Sequence, residues 1–284
     1  MISNRNDSWQ YRVGRLGTGI ATVMLAVGSV GCAAEQALHG ADAEHHDTEQ
    51  HIYQQPIDRL VVNIDGGEVT VLGGSDDKVT VDGELTWTSV RPSITQRWNG
   101  RTLELSGRCP DQPHCDTRYT VRLPRAVSVT AATQGGSITT WHIDGGQQLV
   151  TGGGNVGVGA SQGPVTVESG GGTVQIGGTQ GALTVTTGGG DVTGTLLGSA
   201  QATIRSQGGN ISLGFAAAPS QVSASTDGGD INIAVPHAGT DAAGYQVLTS
   251  SGGGSQAVGI PHYADARRVL DLSTDGGSIA VRYA

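Results

Sequence analysis

Aromatic residues make up 4% of this 284-residue chain and charged residues 14%. With one phenylalanine and four tryptophans, a thick globular interior is out of reach, and the core must come from small β-branched side chains. Lysine occurs once, as Lys78. Sixteen basic residues stand against 25 acidic ones, a formal charge of −9, and the basic residues are scattered. That balance argues against nucleic acid or an anionic lipid surface as partner. Proline is limited to 9 residues, which excludes a Pro/Gly low-complexity polymer. No apolar run is long and uninterrupted enough for a comfortable transmembrane helix. What the chain has in quantity is glycine, 47 residues, with no Gly-X-Y period and therefore no collagen.

The first 31 residues read as an export signal. Arg5, Arg12 and Arg15 precede the apolar run GIATVMLAVGSV, which ends at Ser29-Val30-Gly31-Cys32. Gly31 and Cys32 fit a bacterial lipobox, where the signal is cut before a cysteine that receives a diacylglyceryl thioether. Ser29 departs from the usual aliphatic residue. The expectation is a lipoprotein anchored through Cys32 on the extracytoplasmic face of the cell membrane, with acyl chains giving about 0.8 kcal/mol per buried CH₂. Loss of residues 1–31 removes three arginines and one aspartate and takes the formal charge to −11. Residues 32–56 are polar and aperiodic and read as a flexible tether. It holds His45, His46 and His51, expected to be solvated and not metal ligands. Cys109 and Cys115, in RCPDQPHCD, suit a small loop disulfide in an oxidising compartment; with only His114 nearby, a metal site lacks ligands.

From Ile57 to Ala284 one device recurs: strand-like alternation, a glycine cluster, alternation again. The clusters from Gly136 onward end at Gly136, Gly154, Gly172, Gly190, Gly209, Gly229, Gly254 and Gly277, a period of 18 that drifts to 25 and 23. A constant period with drift is the mark of a repeat architecture with loop insertions. Each unit reads as strand, turn, strand, turn, and stacked units form a β-solenoid in which each coil pairs with its neighbours. The glycines are expected to supply positive φ at the corners. The polar residue after each cluster, such as Asn155 or Asp191, is expected to bond local backbone. Next follows an apolar column, Ile138, Val156, Val174, Val192, Ile211, Ile231 and Ile279, broken by Gln256. Each buried member is worth roughly 1.5–3 kcal/mol. Residues 68–135 are less regular, with Trp87, Trp98 and Tyr119, and read as a cap over the first open edge.

None of these features carries recognisable chemistry. A phosphate loop needs a lysine after its glycines and a helix to follow, and neither is present. Calcium-binding nonapeptide repeats need aspartates in register, which GGGNVGVGA and GGGTVQIGG lack. Stacking could bring Glu168 near Asp191, yet residues 150–240 hold only Arg205 as a basic group and only Phe215 as an aromatic one. His142, His237 and His262 are isolated. Thr184, Thr186 and Thr187 do not promise a ladder in register. The chain is therefore expected to have no catalytic residues, no metal and no cofactor.

The repeated Gly-Gly-[Ser/Asn/Thr/Asp]-[Val/Ile] units over 57–284 resemble the putative adhesin family of bacterial envelope proteins. IDRLVVNIDGGEVTVLGGSDDKVTVDGELTW is similar to that family's first coil. RPSITQRWNGRTLELSGRCP, the cysteine pair and VRLPRAVSVTAATQGGSITT resemble its lipoprotein branch in high-GC Gram-positive bacteria. The resemblance implies an all-β solenoid without defined catalytic residues. The expected function is a non-catalytic envelope interaction module, meeting cell-wall polymer or an envelope protein. An envelope-stress accessory or sensor bound to a membrane partner is the second reading, and a polysaccharide-active solenoid enzyme the third.

Overall fold

A computed structural model describes residues 44–110, 114–239 and 243–284. Cys32 and the signal segment 1–31 lie outside the described residues. The alternation of apolar and polar positions becomes strand after strand, and no α-helix occurs among the described residues. In chain order the first seven strands are β1 (His45–Tyr53), β2 (Arg59–Ile64), β3 (Val69–Gly74), β4 (Val79–Trp87), β5 (Ser93–Asn99), β6 (Thr102–Arg108) and β7 (Cys115–Pro124). The regular coils follow as β8 (Ser128–Thr133) with β9 (Ile138–Trp141), β10 (Gln147–Thr151) with β11 (Val156–Gly159), and β12 (Val165–Ser169) with β13 (Val174–Gly177). Then come β14 (Leu183–Thr187) with β15 (Val192–Leu197), β16 (Gln201–Ser206) with β17 (Ile211–Phe215), and β18 (Gln221–Thr226) with β19 (Ile231–Val235). The last four strands are β20 (Tyr245–Ser251), β21 (Gln256–Val258), β22 (Arg268–Thr274) and β23 (Ile279–Tyr283).

The strands form two sheets, of twelve and eleven strands, and the chain alternates between them once per coil. The twelve-stranded sheet is called sheet 1 and the other sheet 2. From β8 to β19 every pairing within a sheet is parallel, and all are in register except β15 with β17, where the register shifts between Gly194 and Leu197. The fold is thus an all-β solenoid, as expected. The apolar column lies in one inward row of sheet 1, where Ile138, Val156, Val174 and Val192 are at most 1% exposed. It meets Leu149, Val167, Val185 and Ile204 of sheet 2 in one continuous core.

The corner between the two sheets has a chemistry that differs from expectation. Glycines 136, 154, 172 and 190 are not among the residues with φ in the left-handed region; Gly67, Gly100, Gly178 and Gly239 are. The last glycine of each cluster is needed for close approach. A Cβ on Gly172 would overlap the carbonyl oxygen of Gly154, and one on Gly190 that of Gly172. A buried hydroxyl holds this contact. Thr226 donates to the Gly209 carbonyl of the preceding coil at 2.9 Å and accepts from the Gly229 N–H of its own corner at 3.2 Å. Thr151 does the same with Gly136 and Gly154 at 2.9 and 3.0 Å. Thr133, Ser169, Thr187, Ser206 and Thr274 stand in register with them. Outside this column runs a second stitch. Asn155 Oδ1 accepts from Thr173 N–H at 3.0 Å, and Asp191 Oδ1 from Asn210 N–H at 2.7 Å. The polar residue after each cluster therefore bonds the next coil, not its own turn.

At both ends the stacking order departs from chain order. The β6–β7 coil lies outside the β2–β3 coil, and the β22–β23 coil inserts between β18–β19 and β20–β21. The C-terminal strand is therefore internal, and β20 and β21 are the open edges at this end of the stack. Gln256 breaks the apolar column because it belongs to the last coil, where its amide accepts from the Thr249 hydroxyl at 2.6 Å. At the other end β4 pairs antiparallel with β7, β5 with β6 and β1 with β4, forming the expected irregular cap. The segment read as a flexible tether, 32–56, is corrected here: residues 45–53 are strand β1. Their alternation is polar, so it carries no hydrophobic signal; cross-strand pairing with β4 orders them. Cys109 and Cys115 are disulfide-bonded between β6 and β7, with Cα atoms 5.7 Å apart.

Three substitutions test the corner. Gly172→Ala is expected to destabilise by about 3 kcal/mol, since it forces two backbones apart. Gly171→Ala meets nothing within 4 Å and should stay within about 1 kcal/mol of wild type. Equal losses in denaturant melts would refute the close-approach account. Thr226→Val, which strands a buried N–H and a buried carbonyl, is expected to lose about 1–3 kcal/mol; a neutral result would show that the hydroxyl does not hold the coils.

Candidate binding surface

Outward positions of sheet 1 do not contribute to the core, so their residue types are free to vary. In register across successive coils they read Thr139, Gly157, Gln175, Thr193, Ser212 and Asn232. The neighbouring outward file reads Trp141, Gly159, Gly177 and Thr195. Small residues between larger ones leave a shallow trough of about 660 Å³, walled by Trp141 and floored by Gly157 and Gly177. A second depression of about 210 Å³ shares Thr193 and Thr195 and continues to Arg282.

Trp141 is 49% exposed. Its indole covers Gly159, where any Cβ would run into the ring. The ring also meets His142 edge-on, with centroids 5.5 Å apart. His142, Ala160, Gly178 and Leu196, spaced 18 residues apart, all take left-handed φ, from 50° to 64°. This is the corner where the chain leaves sheet 1. Non-glycine residues there carry about 1–2 kcal/mol of strain each. Leu196, at an irregularity of β15, is also 71% exposed.

The charges lie elsewhere, concentrated in the cap. Arg91 meets Asp47 and Glu49 at 2.6 Å each, and Arg122 meets Asp82 at 2.6 Å. Hydrogen bonds that Arg91 donates to Asp47 and then to Glu49 raise its guanidinium above its ordinary value. Asp47 and Glu49 stand opposite Leu85 and Gly83, whose positions are buried, so edge strand β1 turns charge toward the end of the core. Such a strand resists pairing with a further chain. At the far end the β20 edge is partly covered: Tyr263 N–H donates to the Tyr245 carbonyl at 2.9 Å, and His262 Nδ1 lies 3.2 Å from Val247 N.

The remaining residues singled out from sequence are dispersed. Glu168 stands in β12 between Val150 and Thr186, while Asp191 is engaged at the corner by Asn210. His237 stacks on Tyr283 with centroids 3.6 Å apart. His45 stacks on Trp87, and His46 lies 3.2 Å from the Thr86 hydroxyl. Among the described residues no three His, Cys, Asp or Glu side chains converge as metal ligands. The threonine expectation needs correction: Thr166, Thr184 and Thr203 are in register on the outer face of sheet 2, and Thr187 belongs to the buried hydroxyl column. Because the coil length changes from 18 to 19 between them, the register is hidden in the sequence. The flanking file holds Glu168, Thr186 and Arg205, so the threonines make a single row.

Comparison with known proteins fits this architecture. The family model described as Toastrack DUF4097 matches residues 57–281. The chain belongs to the Toastrack DUF4097 family. No curated protein matches it. Among solved structures, a "putative adhesin" from Bacteroides fragilis is 18% identical, covers 84% of this chain and 97% of its own, and has a TM-score of 0.41. A "putative adhesin" from Parabacteroides merdae is 12% identical, with 84% and 96% covered and a TM-score of 0.38. A "putative cell adhesion protein" from Clostridium sporogenes is 10% identical, with 84% and 100% covered and a TM-score of 0.26. Likenesses at this level transfer no function to this Toastrack chain. The trough was missed in sequence because Trp141 falls just outside the glycine-rich stretch 150–240, and only register sets it beside Gly159 and Gly177.

Two buried phenols give the Toastrack domain a predictable alkaline limit. Burial pushes Tyr245 up to about 12 and raises Tyr119 as well, both from an ordinary value of 10.0. The unfolded chain therefore loses these protons first as pH rises. Stability should be full below about pH 10 and fall between about pH 10 and 12. Urea midpoints measured at about pH 9 and about pH 11 test this, and Tyr245→Phe should flatten part of the slope. Identical midpoints at the two pH values would sink the assignment.

Proposed function

We propose that this protein is a non-catalytic, adhesin-like module of the bacterial cell envelope, held at the extracytoplasmic face of the membrane by lipid on Cys32. The observation that carries the reading is the outer face of sheet 1. A stack of in-register coils holds an exposed tryptophan and files of uncharged polar side chains on a backbone fixed from within. Such a surface is preorganised for contact and loses little freedom on binding. The sequence Ser29-Val30-Gly31-Cys32 and the Cys109–Cys115 disulfide support export and the lipoprotein branch of high-GC Gram-positive bacteria. Because β1 begins at His45, the link from Cys32 is at most 13 residues, about 45 Å when fully extended.

A sensor reading, with a membrane protein as partner, draws on a different feature. Residues Gln256–Val258 of β21 form an exposed sheet edge, which a partner strand could extend through backbone hydrogen bonds.

Cells producing the wild-type chain or Cys32→Ser would be labelled with an alkyne fatty acid and fractionated. Wild type is expected to be labelled and membrane-bound, and Cys32→Ser unlabelled and released. An unlabelled wild type found in the medium would overturn the anchor. Immobilised Cys32→Ser chain would then be presented with wall-polymer and membrane-protein fractions from its source. Saturable retention of polymer supports the module, retention of one membrane protein alone favours the sensor, and retention of nothing removes both.

A further inference from the structure

The trough on sheet 1 is chemically uniform in a way that narrows its ligand. Resting on the envelope-module reading above, we infer that it binds a linear, uncharged polysaccharide, with Trp141 as the stacking platform and Gln175, Thr193, Ser212 and Asn232 as the hydrogen-bonding file.

Trp141 carries the first part of the argument. Among the described residues it is the one aromatic side chain among the exposed large apolar groups. One side of its indole is spent on Gly159, where no side chain fits beneath the ring. An exposed aromatic surface seated on backbone is unfavourable in water and presents a rigid π-face to whatever covers it. The C–H face of a pyranose ring complements that face, apolar and slightly positive against its negative quadrupole. The hydroxyls of the same sugar need polar partners at the rim, and Thr139 and Gln175 supply them on coils to either side of Gly157.

Spacing carries the second part. Adjacent coils are hydrogen-bonded strands, so the polar file repeats at about 4.8 Å, comparable to one sugar unit in an extended chain. From the Trp141 strand to the Asn232 strand there are five such steps, about 24 Å in all. A linear polymer laid along the solenoid axis would meet an amide or hydroxyl at nearly every step, with Gly157 and Gly177 leaving room for its thickness.

Charge carries the third. Neither depression has a carboxylate among its lining residues, and Arg282 at the far end is the single charged one. An anionic polymer would meet no basic cluster and would be repelled by a chain of formal charge −9. A basic peptide would find no carboxylate in the trough. Uncharged hydroxyl-rich polymer is the chemistry left.

The test uses the full-length chain carrying Cys32→Ser, titrated calorimetrically with cellohexaose, chitohexaose and isomaltohexaose, and with hexagalacturonate as the charged comparator. At least one neutral hexasaccharide should bind and the charged one should not. Trp141→Ala should weaken that binding about tenfold. Gly177→Leu should abolish it by filling the floor; a Cβ there meets only the Thr195 hydroxyl at 3.7 Å, an ordinary contact, so the core is left alone. Each variant is first melted beside the parent, and if Trp141→Ala does not fold, Gly177→Leu and Gln175→Ala carry the test. Binding unchanged by these substitutions, tighter binding of hexagalacturonate, or no binding of any neutral hexasaccharide would each overturn the inference. If the sugars fail while the chain still retains the wall-polymer fraction, the trough is not a neutral-glycan site but the envelope module stands; if nothing at all is captured, both fall.

Discussion

The structure depends on one contact: a glycine of one coil lying against a glycine carbonyl of the next, pinned by a buried hydroxyl. Thr226, bridging Gly209 and Gly229, shows the geometry in full. Each hydroxyl replaces the solvent that a corner carbonyl and a corner N–H lose on burial, and an unpaired group there would be costly. The hydroxyl therefore demands close approach, and close approach demands glycine. Repeating the corner sets a common register for both sheets, and the register aligns the valine and isoleucine columns. Hydrophobic burial supplies the bulk of the stabilisation, but the corner decides which side chains meet.

A stack with this cross-section has two open ends, and the chain treats both as special. At each end the last coil in space is not the last in sequence, so an internal coil is clamped by pairing from both sides. The terminal coils also bring polar groups to the end of the core: Gln256 with Thr249 at one end, and Asp47 and Glu49 with Arg91 at the other. Repeat proteins need such polar capping units, because an unmodified repeat would present its core and its edge to another copy.

Because the corners and inward columns bear the stability, outward positions are free for recognition. Sheet 1 uses that freedom to place Trp141 beside glycines and uncharged polar files, and sheet 2 to line up threonines beside a file that holds Glu168 and Arg205. The left-handed corner residues His142, Ala160 and Leu196 add local strain beside the trough. Strain of this kind persists where the surrounding coils over-determine the backbone. The same rigidity would hold a contact surface in shape before any partner arrives.

The glycine period, the inward column from Ile138 to Ile279, the strand-only character and the Cys109–Cys115 pair were all legible in the sequence. Each is a local pattern that one strand or one turn expresses by itself. The Ser or Thr three residues before the last glycine of each corner from Gly136 to Gly277 was equally visible, but its role appears only when two coils are stacked. Four things were decided by tertiary structure alone: the order of β1 in place of a tether, the crossed stacking at both ends, the bonding of Asn155 and Asp191 to the next coil, and the setting of Trp141 over Gly159. All four are relations between residues distant in sequence and adjacent in space. The sequence by itself determined which residues face inward, because alternation is a property of a single strand. Which coil lies beside which depends on closing the ends of a stack, and no single repeat contains that information.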